Sequence, residues 1–298
     1  MQRKDLITLG WKDYELLDSG DGMKLERYGE IILSRPETQA LWKPERSELW
    51  KKAHAVFEWS EGKSAWKVKK DIPTPLPNSW PLSWNDISFT ARMSAFKHTG
   101  IFPEQSANWQ WLRSVLKGAQ GLTSATPDAP KVLNLFGYTG IASVVAAHAG
   151  AVVTHIDASK QSLDWAHDNA RLSGIPEGTI KYLFEDAMQF VRREVRRGTR
   201  YDGIILDPPA FGRGAKGEVW KIEEQLPELI ALTKEILSLK PGSFYLLNGY
   251  AAGYSAQSFS QLVESVFGDV SGNFGDLNIK ESGSERVIPA GIYTSFVV

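Results

Sequence analysis

The chain has 298 residues, enough for one large or two medium domains, and its apolar content of 42% is ordinary for a globular protein. It contains no cysteine, which excludes disulfides, thiolate zinc sites and cysteine nucleophiles, and its net charge of −1 does not single out a nucleic-acid binder. No signal peptide and no apolar run of membrane-spanning length are recognisable, so we expect a cytoplasmic protein without a membrane partner.

Residues 1–95 predict a small β-rich domain, because short alternating segments are separated by turn signals. The clearest signal is a hairpin turn from Asp18 to Gly22. Pro73 to Pro81 predicts a stiff, extended connector. Nine of the 11 tryptophans lie before residue 112, and we expect most of them in the core of a structural cap.

An RNA platform is the alternative interpretation of this domain, with one or two exposed tryptophans stacking on bases beside a group of lysines. These lysines are Lys51, Lys52, Lys63, Lys67, Lys69 and Lys70.

The stretch from Val132 to Gly140 predicts a strand, a glycine-bearing turn and the start of a helix. This arrangement aims helix amides at a bound nucleotide. Leu135 stands where a dinucleotide fingerprint needs glycine, so a pyrophosphate is a poor fit. Asn134 and the turn amides instead suit a ligand with an amino-acid end, such as S-adenosylmethionine. An ordinary turn between strand and helix is the alternative.

Acidic residues follow the next two predicted strands. Asp157 ends the strand from Ala151 and lies 17 residues past Gly140, where a carboxylate can accept both ribose hydroxyls. Its alternative role is to cap the following helix. Asp186 lies just beyond a third strand and could accept from an adenine amino group. The arginines from Arg192 to Arg200 are interpreted as a solvated helix face rather than as phosphate contacts.

The segment Asp207-Pro208-Pro209-Ala210-Phe211 follows a fourth strand and is the most specific signal in the sequence. The two prolines fix the backbone as it leaves the sheet. Asp207 is expected where a methyl donor meets its acceptor, and the Phe211 ring can stack on a planar base. Gly212 to Gly217 predicts a flexible basic loop that closes over the substrate. The alternative is a strand stopped by proline beside a linker.

Five alternating βα units followed by two closing strands around Pro289 to Gly291 predict an α/β fold. The sheet is expected to be Rossmann-like, doubly wound and mostly parallel, with ligands at the carboxyl ends of its strands. The predicted organisation is therefore a β-rich substrate-recognition domain over residues 1–95 and a catalytic domain over residues 96–298.

Residues 96–298 resemble class I S-adenosylmethionine-dependent methyltransferases, and more narrowly the bacterial 23S ribosomal-RNA large-subunit methyltransferases of the I/K type. Four stretches carry the resemblance: His98 to Gln105, Asn134 to Gly140, the strand ending at Asp157, and Asp207 to Phe211. The N-terminal domain resembles the substrate-recognition module of that family.

The resemblance implies S-adenosyl-L-methionine as cofactor, an RNA substrate, and two sets of site residues. The cofactor set is Thr99, Gly100, Phe102, Gln105, Asn134, Phe136, Gly137, Tyr138, Thr139, Gly140, Asp157, Ala158, Ser159, Asp186, Ala187 and Asp207. The set beside the transferable methyl group is Asp207, Pro208, Pro209 and Phe211.

Members that methylate cytosine C5 carry cysteine where Ala251 stands, because this carbon becomes nucleophilic only after a thiolate adds to the ring. Since the chain has no cysteine, we expect the acceptor to be a nitrogen or oxygen, with a nucleobase nitrogen in ribosomal RNA as the first hypothesis. A metabolite or protein methyltransferase and a non-catalytic RNA-binding factor are the alternatives. No metal is expected, and the oligomeric state stays open.

Overall fold

The computed structural model describes residues 1–60, 63–69, 76–118, 129–214, 217–250 and 253–298. Ala251, much of the proline-rich connector and most of the loop before Pro130 therefore lie outside the described residues. The chain divides into two compact units. The β-rich unit comprises Ile7–Ser106 and Asn278–Pro289, and the central-sheet unit comprises Met1–Leu6, Ala107–Leu277 and Ala290–Val298.

This division assigns residues 96–106 to the β-rich unit, whereas the sequence predicts that the second domain begins at Phe96. The domain boundary remains a prediction.

The first elements of the chain are mostly strands. In order they are β1 (Gln2–Arg3), β2 (Leu6–Thr8), β3 (Tyr14–Gly20), β4 (Met23–Tyr28), β5 (Ile31–Pro36), α1 (Ser47–Trp50), β6 (Ala55–Ser60), β7 (Lys63–Val68), β8 (Ser79–Trp84) and β9 (Ile87–Arg92). Strands β3 to β7 form one sheet in chain order, and β8 pairs with β9. Asp21 and Gly22 join β3 to β4 with φ of 52° and 74°, as a two-residue hairpin turn requires.

The tryptophans are less buried than the sequence predicts. Of the nine before residue 112, only Trp80, Trp84 and Trp109 are buried among the side chains that the structure describes. The partly buried ones tie loops to strands through the indole N–H. Trp50, for example, donates to the Asp18 carboxylate at 2.7 Å. A large ring with one polar group is well placed at such a periphery.

The remaining elements alternate between helix and strand. They are a 3₁₀ helix (Pro103–Gln105), α2 (Ser106–Gly118), β10 (Lys131–Leu135), α3 (Ile141–His148), β11 (Val152–Asp157), α4 (Lys160–Leu172), β12 (Ile180–Phe184), α5 (Ala187–Arg197), β13 (Gly203–Leu206), β14 (Phe211–Arg213), β15 (Val219–Lys221), α6 (Ile222–Ile236), β16 (Phe244–Gly249), α7 (Ala256–Phe267), β17 (Gly272–Lys280) and β18 (Val287–Val297).

The central sheet has the strand order β1-β17-β18-β16-β13-β10-β11-β12. Strands β10, β11, β12, β13 and β16 are parallel, and β18 runs antiparallel to β16. Every residue of β13 and β16 is buried, which explains why these strands appear in the sequence as continuous apolar runs. The predicted doubly wound, mostly parallel sheet is confirmed.

Proline misled the prediction at two places. Pro289, predicted to lie in a turn, lies inside β18, and the connection to β17 instead spans residues 281–286. Pro81, predicted to lie in the connector, is in β8. A proline disturbs a strand only where its missing N–H would have donated a ladder hydrogen bond, so it is an imperfect marker of a strand end.

Candidate active site

The direction of the strand connections reverses between β10 and β13. The chain leaves β10 toward β11 on one side and leaves β13 toward β16 on the other, while β10 and β13 pair directly. In open α/β sheets this reversal opens a crevice at the carboxyl ends of the strands. The two segments singled out in the sequence, after Leu135 and after Leu206, both begin at this crevice.

The turn after β10 has an unusual backbone. Phe136, Tyr138 and Gly140 have φ of 58°, 49° and 76°, a conformation that residues with a side chain rarely adopt. A Cβ at Gly137 would lie 2.3 Å from the His155 ring, and one at Gly140 would lie 2.7 Å from the Ala166 Cβ. Helix α3 then begins without a side-chain cap, so its first amides remain available to a bound anion.

Asp157 joins this turn to the end of the neighbouring strand. One carboxylate oxygen accepts from the Tyr138 N–H and the other from the Ser159 N–H, each at 2.8 Å. The cap of α4 is Ser159, whose hydroxyl accepts from the Ser162 N–H. Asp157 therefore is not the helix cap, and its remaining lone pairs can accept further hydrogen bonds. Burial raises the pKa of Asp157, and the backbone hydrogen bonds oppose that rise.

A buried polar network lies next to the turn, and the sequence did not reveal it. The Asn134 amide donates to the Ser143 hydroxyl at 2.8 Å, and that hydroxyl lies 2.9 Å from His155 Nδ1. All three side chains are buried. Burial, together with nearby His167, lowers the pKa of His155 to about 3 and keeps the ring neutral. The amide nitrogen of Asn134 thus has a partner inside the protein, and its predicted cofactor contact remains a prediction.

Asp186 lies at the end of the third parallel strand, as the sequence predicts, but it has a structural task there. It caps α5 by accepting from the Gln189 N–H at 2.9 Å, and Ala187 begins that helix as a buried residue. A carboxylate that caps a helix still has lone pairs for a ligand. The predicted adenine contact of Asp186 is therefore compatible with its capping role.

The segment after β13 is held by hydrogen bonds along its length. The Asp207 N–H donates to the Leu135 carbonyl at 3.4 Å, and the Ile222 N–H donates to the Ala210 carbonyl at 3.1 Å. Trp220, which is 4% exposed, donates from Nε1 to the Pro209 carbonyl at 2.6 Å. The segment is therefore fixed relative to the end of β10.

Trp220 also links this segment to the turn after β10. Its ring packs on the Phe136 ring with 4.9 Å between centroids. Phe211, in contrast, is 56% exposed. The role of Trp220 was not predicted from the sequence. The one signal there is that Trp165 and Trp220 are the two tryptophans beyond residue 112.

The predicted cofactor residues between Thr99 and Gln105 fall in the β-rich unit. Thr99 is buried, Gly100 has φ of 85°, and Phe102 directly precedes the 3₁₀ helix. The residues brought together in the central-sheet unit are those of the β10 turn, Asp157 with its two neighbours, and the segment from Asp207. The roles assigned to all of these residues remain predictions.

The chemistry of this donor set fits S-adenosylmethionine. The uncapped amides of α3 suit the carboxylate of an amino-acid moiety, and the buried Asp157 carboxylate suits a ribose diol. Within the described ranges, no group of three or more histidine and acidic side chains is arranged to hold a metal ion. None of the described helices has the length and apolar character needed to cross a bilayer.

The chain is similar to curated ribosomal RNA large subunit methyltransferases. A ribosomal RNA large subunit methyltransferase K from Neisseria meningitidis is 25% identical over 241 residues, which cover 77% of this chain and 63% of the relative. A ribosomal RNA large subunit methyltransferase I from Aeromonas salmonicida is 29% identical over 206 residues, covering 67% of this chain and 48% of the relative. The chain thus spans less than two thirds of these curated relatives. The resemblance to the I/K type is confirmed.

Two solved structures share the fold of this chain. A protein from Streptococcus mutans assigned as a methyltransferase shares the fold, with a TM-score of 0.68 at 20% identity over 96% of this chain and 75% of that one. The S-adenosylmethionine-dependent methyltransferase from Agrobacterium tumefaciens has a TM-score of 0.89 at 39% identity, over 100% of this chain and 97% of that one. The family model of the S-adenosylmethionine-dependent methyltransferases matches residues 68–250, more than half of the chain. The chain therefore belongs to this family of enzymes, and its cofactor is S-adenosylmethionine.

Proposed function

We propose that this enzyme methylates a nitrogen atom of a nucleobase in ribosomal RNA. The observation that carries the proposal is the exposed Phe211 ring, which follows Asp207 by four residues on a backbone fixed by two prolines and by Trp220. An exposed flat ring four residues along the chain from a carboxylate suits an unstacked base. The names of the relatives from Neisseria and Aeromonas support RNA as the substrate class, and such a substrate agrees with the predicted cytoplasmic location.

Bound S-adenosylmethionine supplies an electrophilic methyl group. A nitrogen lone pair can attack such a group directly, so the contribution of the protein is positioning and exclusion of water. An exocyclic amino group would donate its hydrogens to the Asp207 carboxylate and to the Pro208 carbonyl, because the Pro209 carbonyl already accepts from Trp220. A ring nitrogen with a free lone pair, such as N7 of guanine, would need no base, whereas a ring N–H would give its proton to the Asp207 carboxylate. Attack by pyrimidine C5 would need a thiolate, and the sequence has no cysteine.

The test is methyl transfer to unmodified large-subunit ribosomal RNA made by transcription in vitro. With isotopically labelled S-adenosylmethionine, we expect the label in an N-methylated nucleoside, identified by mass spectrometry after digestion. Label at pyrimidine C5 would contradict the nitrogen assignment. Label that appears in protein or small molecules of a cell extract, and not in RNA, would contradict the substrate class.

Asp207→Asn is expected to lower kcat about 100-fold and to leave the Kd for S-adenosylmethionine within about twofold, because the lost charge acts on the acceptor. The matched control is Asp202→Asn, at the opposite end of the same strand, where the carboxylate accepts from the Lys131 N–H. Equal rates for the two variants in single-turnover transfer assays would remove Asp207 from the reaction.

Trp220→Phe is expected to lower kcat about tenfold with little change in cofactor affinity. Phenylalanine can keep the ring packing on Phe136, but it leaves the Pro209 carbonyl without its donor, and one such hydrogen bond contributes about 1 kcal/mol. The control is Tyr245→Phe, which removes a buried hydrogen bond to Thr233 in the same unit. Transfer rates that fall equally in both variants would mean that general loosening of the core explains the effect.

A further inference from the structure

The basic loop predicted from Gly212 to Gly217 is strand at its start, because Gly212 and Arg213 belong to β14. Strands β14 and β15 pair antiparallel as a hairpin, with Phe211 opposite Lys221, Gly212 opposite Trp220 and Arg213 opposite Val219. Residues 215–216 lie outside the described part of the chain. Since successive side chains of a strand point to opposite faces, the hairpin has two distinct surfaces.

The inner face carries Gly212 and Trp220 and is anchored. Trp220 is buried on the Phe136 ring and hydrogen-bonded to the Pro209 carbonyl. A Cβ built on Gly212 would touch the Pro209 ring at 3.4 Å. Because this face is packed against the segment that begins at Asp207, the position of the opposite face relative to Asp207 is fixed as well.

The outer face carries Phe211, Arg213, Val219 and Lys221. Phe211, Arg213 and Val219 are exposed. Lys221 forms an ion pair with Glu224 at 2.7 Å. Arg213 has no ion-pair partner among the residues that the structure describes, and Glu218, the nearest acid on the hairpin, accepts from the Gln189 amide. The face thus combines an aromatic ring, an aliphatic side chain and an available guanidinium group.

Three of the four arginines of α5 differ in this respect. Arg192 pairs with Glu228, Arg193 with Glu185, and Arg197 with Glu194, and each pair neutralises a charge that would otherwise attract a phosphate. Arg196 is exposed and has no ion-pair partner among the described residues either, but it lies near the carboxyl end of α5, shortly before β13 begins, and so at the opposite edge of the sheet from Asp207. Partners and position together therefore favour Arg213.

We propose that the outer face of the β14–β15 hairpin binds the RNA strand that flanks the target nucleotide, with Arg213 on a backbone phosphate and Val219 against a neighbouring base or sugar. The inference rests on the proposed function and adds the surface that holds the substrate. The occupant is single-stranded RNA, because stacking on exposed apolar side chains requires unstacked bases. An arginine fork matches a phosphate with two parallel hydrogen bonds.

The test compares Arg213→Gln with Arg196→Gln in the full-length protein. Arg196 is an exposed residue of α5, so both variants lose one exposed positive charge. The probe is a fluorescent 20-nucleotide single-stranded RNA of mixed sequence, titrated at several salt concentrations. We expect Arg213→Gln to weaken binding about fivefold and to reduce the slope of log K against log salt by about 0.7, the value for one phosphate contact on a single strand. Arg196→Gln should leave both quantities near those of the wild type.

Arg213→Lys should restore the salt slope of the wild type with part of the affinity, because lysine keeps the charge but loses the fork. Equal affinities and slopes for Arg213→Gln and Arg196→Gln, in a protein that still methylates RNA, would overturn the hairpin surface alone. A wild-type protein that neither binds the probe in a salt-dependent way nor methylates ribosomal RNA would overturn the proposed function itself.

Discussion

Replacement of Asp157 by alanine is expected to weaken S-adenosylmethionine binding about 100-fold. The carboxylate fixes the Tyr138 and Ser159 amides, so its loss frees the turn as well as the predicted ribose contacts. A hydrogen bond to a charged group contributes about 1.5–3 kcal/mol, and the loss of two such bonds to the ribose at the lower end of this range, about 3 kcal/mol, corresponds to a factor of roughly 100.

Asp157→Asn is expected to bind almost as weakly as Asp157→Ala. Each carboxylate oxygen accepts from a backbone N–H, and an asparagine side chain must point its own NH₂ group at one of these donors. This result would distinguish Asp157 from a residue that only accepts hydrogen bonds from the ribose, for which the asparagine carbonyl would retain part of the affinity.

Calorimetric titration of the purified variants measures the effect. Asp164→Ala, which removes an exposed acid from the following helix, is the matched control and should bind like the wild type. A second comparison isolates the ribose contact: the loss of affinity from S-adenosylhomocysteine to its 2′-deoxy analogue should be large in the wild type and small in Asp157→Ala. If the two losses are equal, Asp157 does not bind the ribose.

The sequence predicted the parts of this site that depend on chain order. Buried parallel strands appear as apolar runs, and the residues after their carboxyl ends must share one edge of the sheet. Asp157 and Asp207 could therefore be selected by position alone. The sequence could not show that Ser159, and not Asp157, caps α4. That choice depends on how the β10 turn approaches β11 and engages the Asp157 carboxylate.

Contacts between segments that are far apart in sequence could not be predicted either, because they depend on tertiary packing. Ser143 and His155 belong to different elements, and nothing in their spacing indicates that Asn134 joins them. Trp220 reaches Pro209 only because β14 and β15 form a hairpin, and the glycines around Arg213 favoured a loop. Local signals determine the elements, while tertiary packing determines which side chains meet.

The second large effect is expected in the β-rich unit, where Arg35→Met should lower the free energy of unfolding by about 3–5 kcal/mol. Arg35 donates to both carboxylate oxygens of Glu26 and to the Tyr28 hydroxyl, and all three residues are buried. Without Arg35, a buried carboxylate loses its main counter-charge. Seven of the 11 tryptophans lie in this unit, so tryptophan fluorescence in a denaturant titration reports mainly on its unfolding.

Lys67→Met is the matched control, because it breaks an ion pair with Glu58 in the same unit, in which both side chains are about half exposed. Such surface pairs contribute about 0–1 kcal/mol. Equal shifts of the unfolding midpoint in Arg35→Met and Lys67→Met would mean that the buried pair adds no more than a surface pair.

The dependence of this difference on pH follows from Glu26. Burial raises the pKa of Glu26, but Arg35, Lys24 and the hydrogen bonds to the carboxylate outweigh that effect and hold it at about 2. A folded-state pKa below that of the unfolded chain gives stability that is present above about pH 4.5 and is lost as the pH falls toward 2. In Arg35→Met the pKa of Glu26 should instead be raised, because burial then meets less opposition, so protonation restores stability as the pH falls from that raised pKa to about 4.5.

The stability gap between the wild type and Arg35→Met should therefore close as the pH is lowered from 7 to 3. Below pH 4.5 Glu104, whose pKa burial raises to about 7, is protonated in both folded proteins, so the part of the closing gap between pH 4.5 and 3 reports on Glu26 and not on Glu104. A gap that stays constant from pH 7 to 3 would show that the loss in Arg35→Met comes from packing, and that the charge on Glu26 has no part in it.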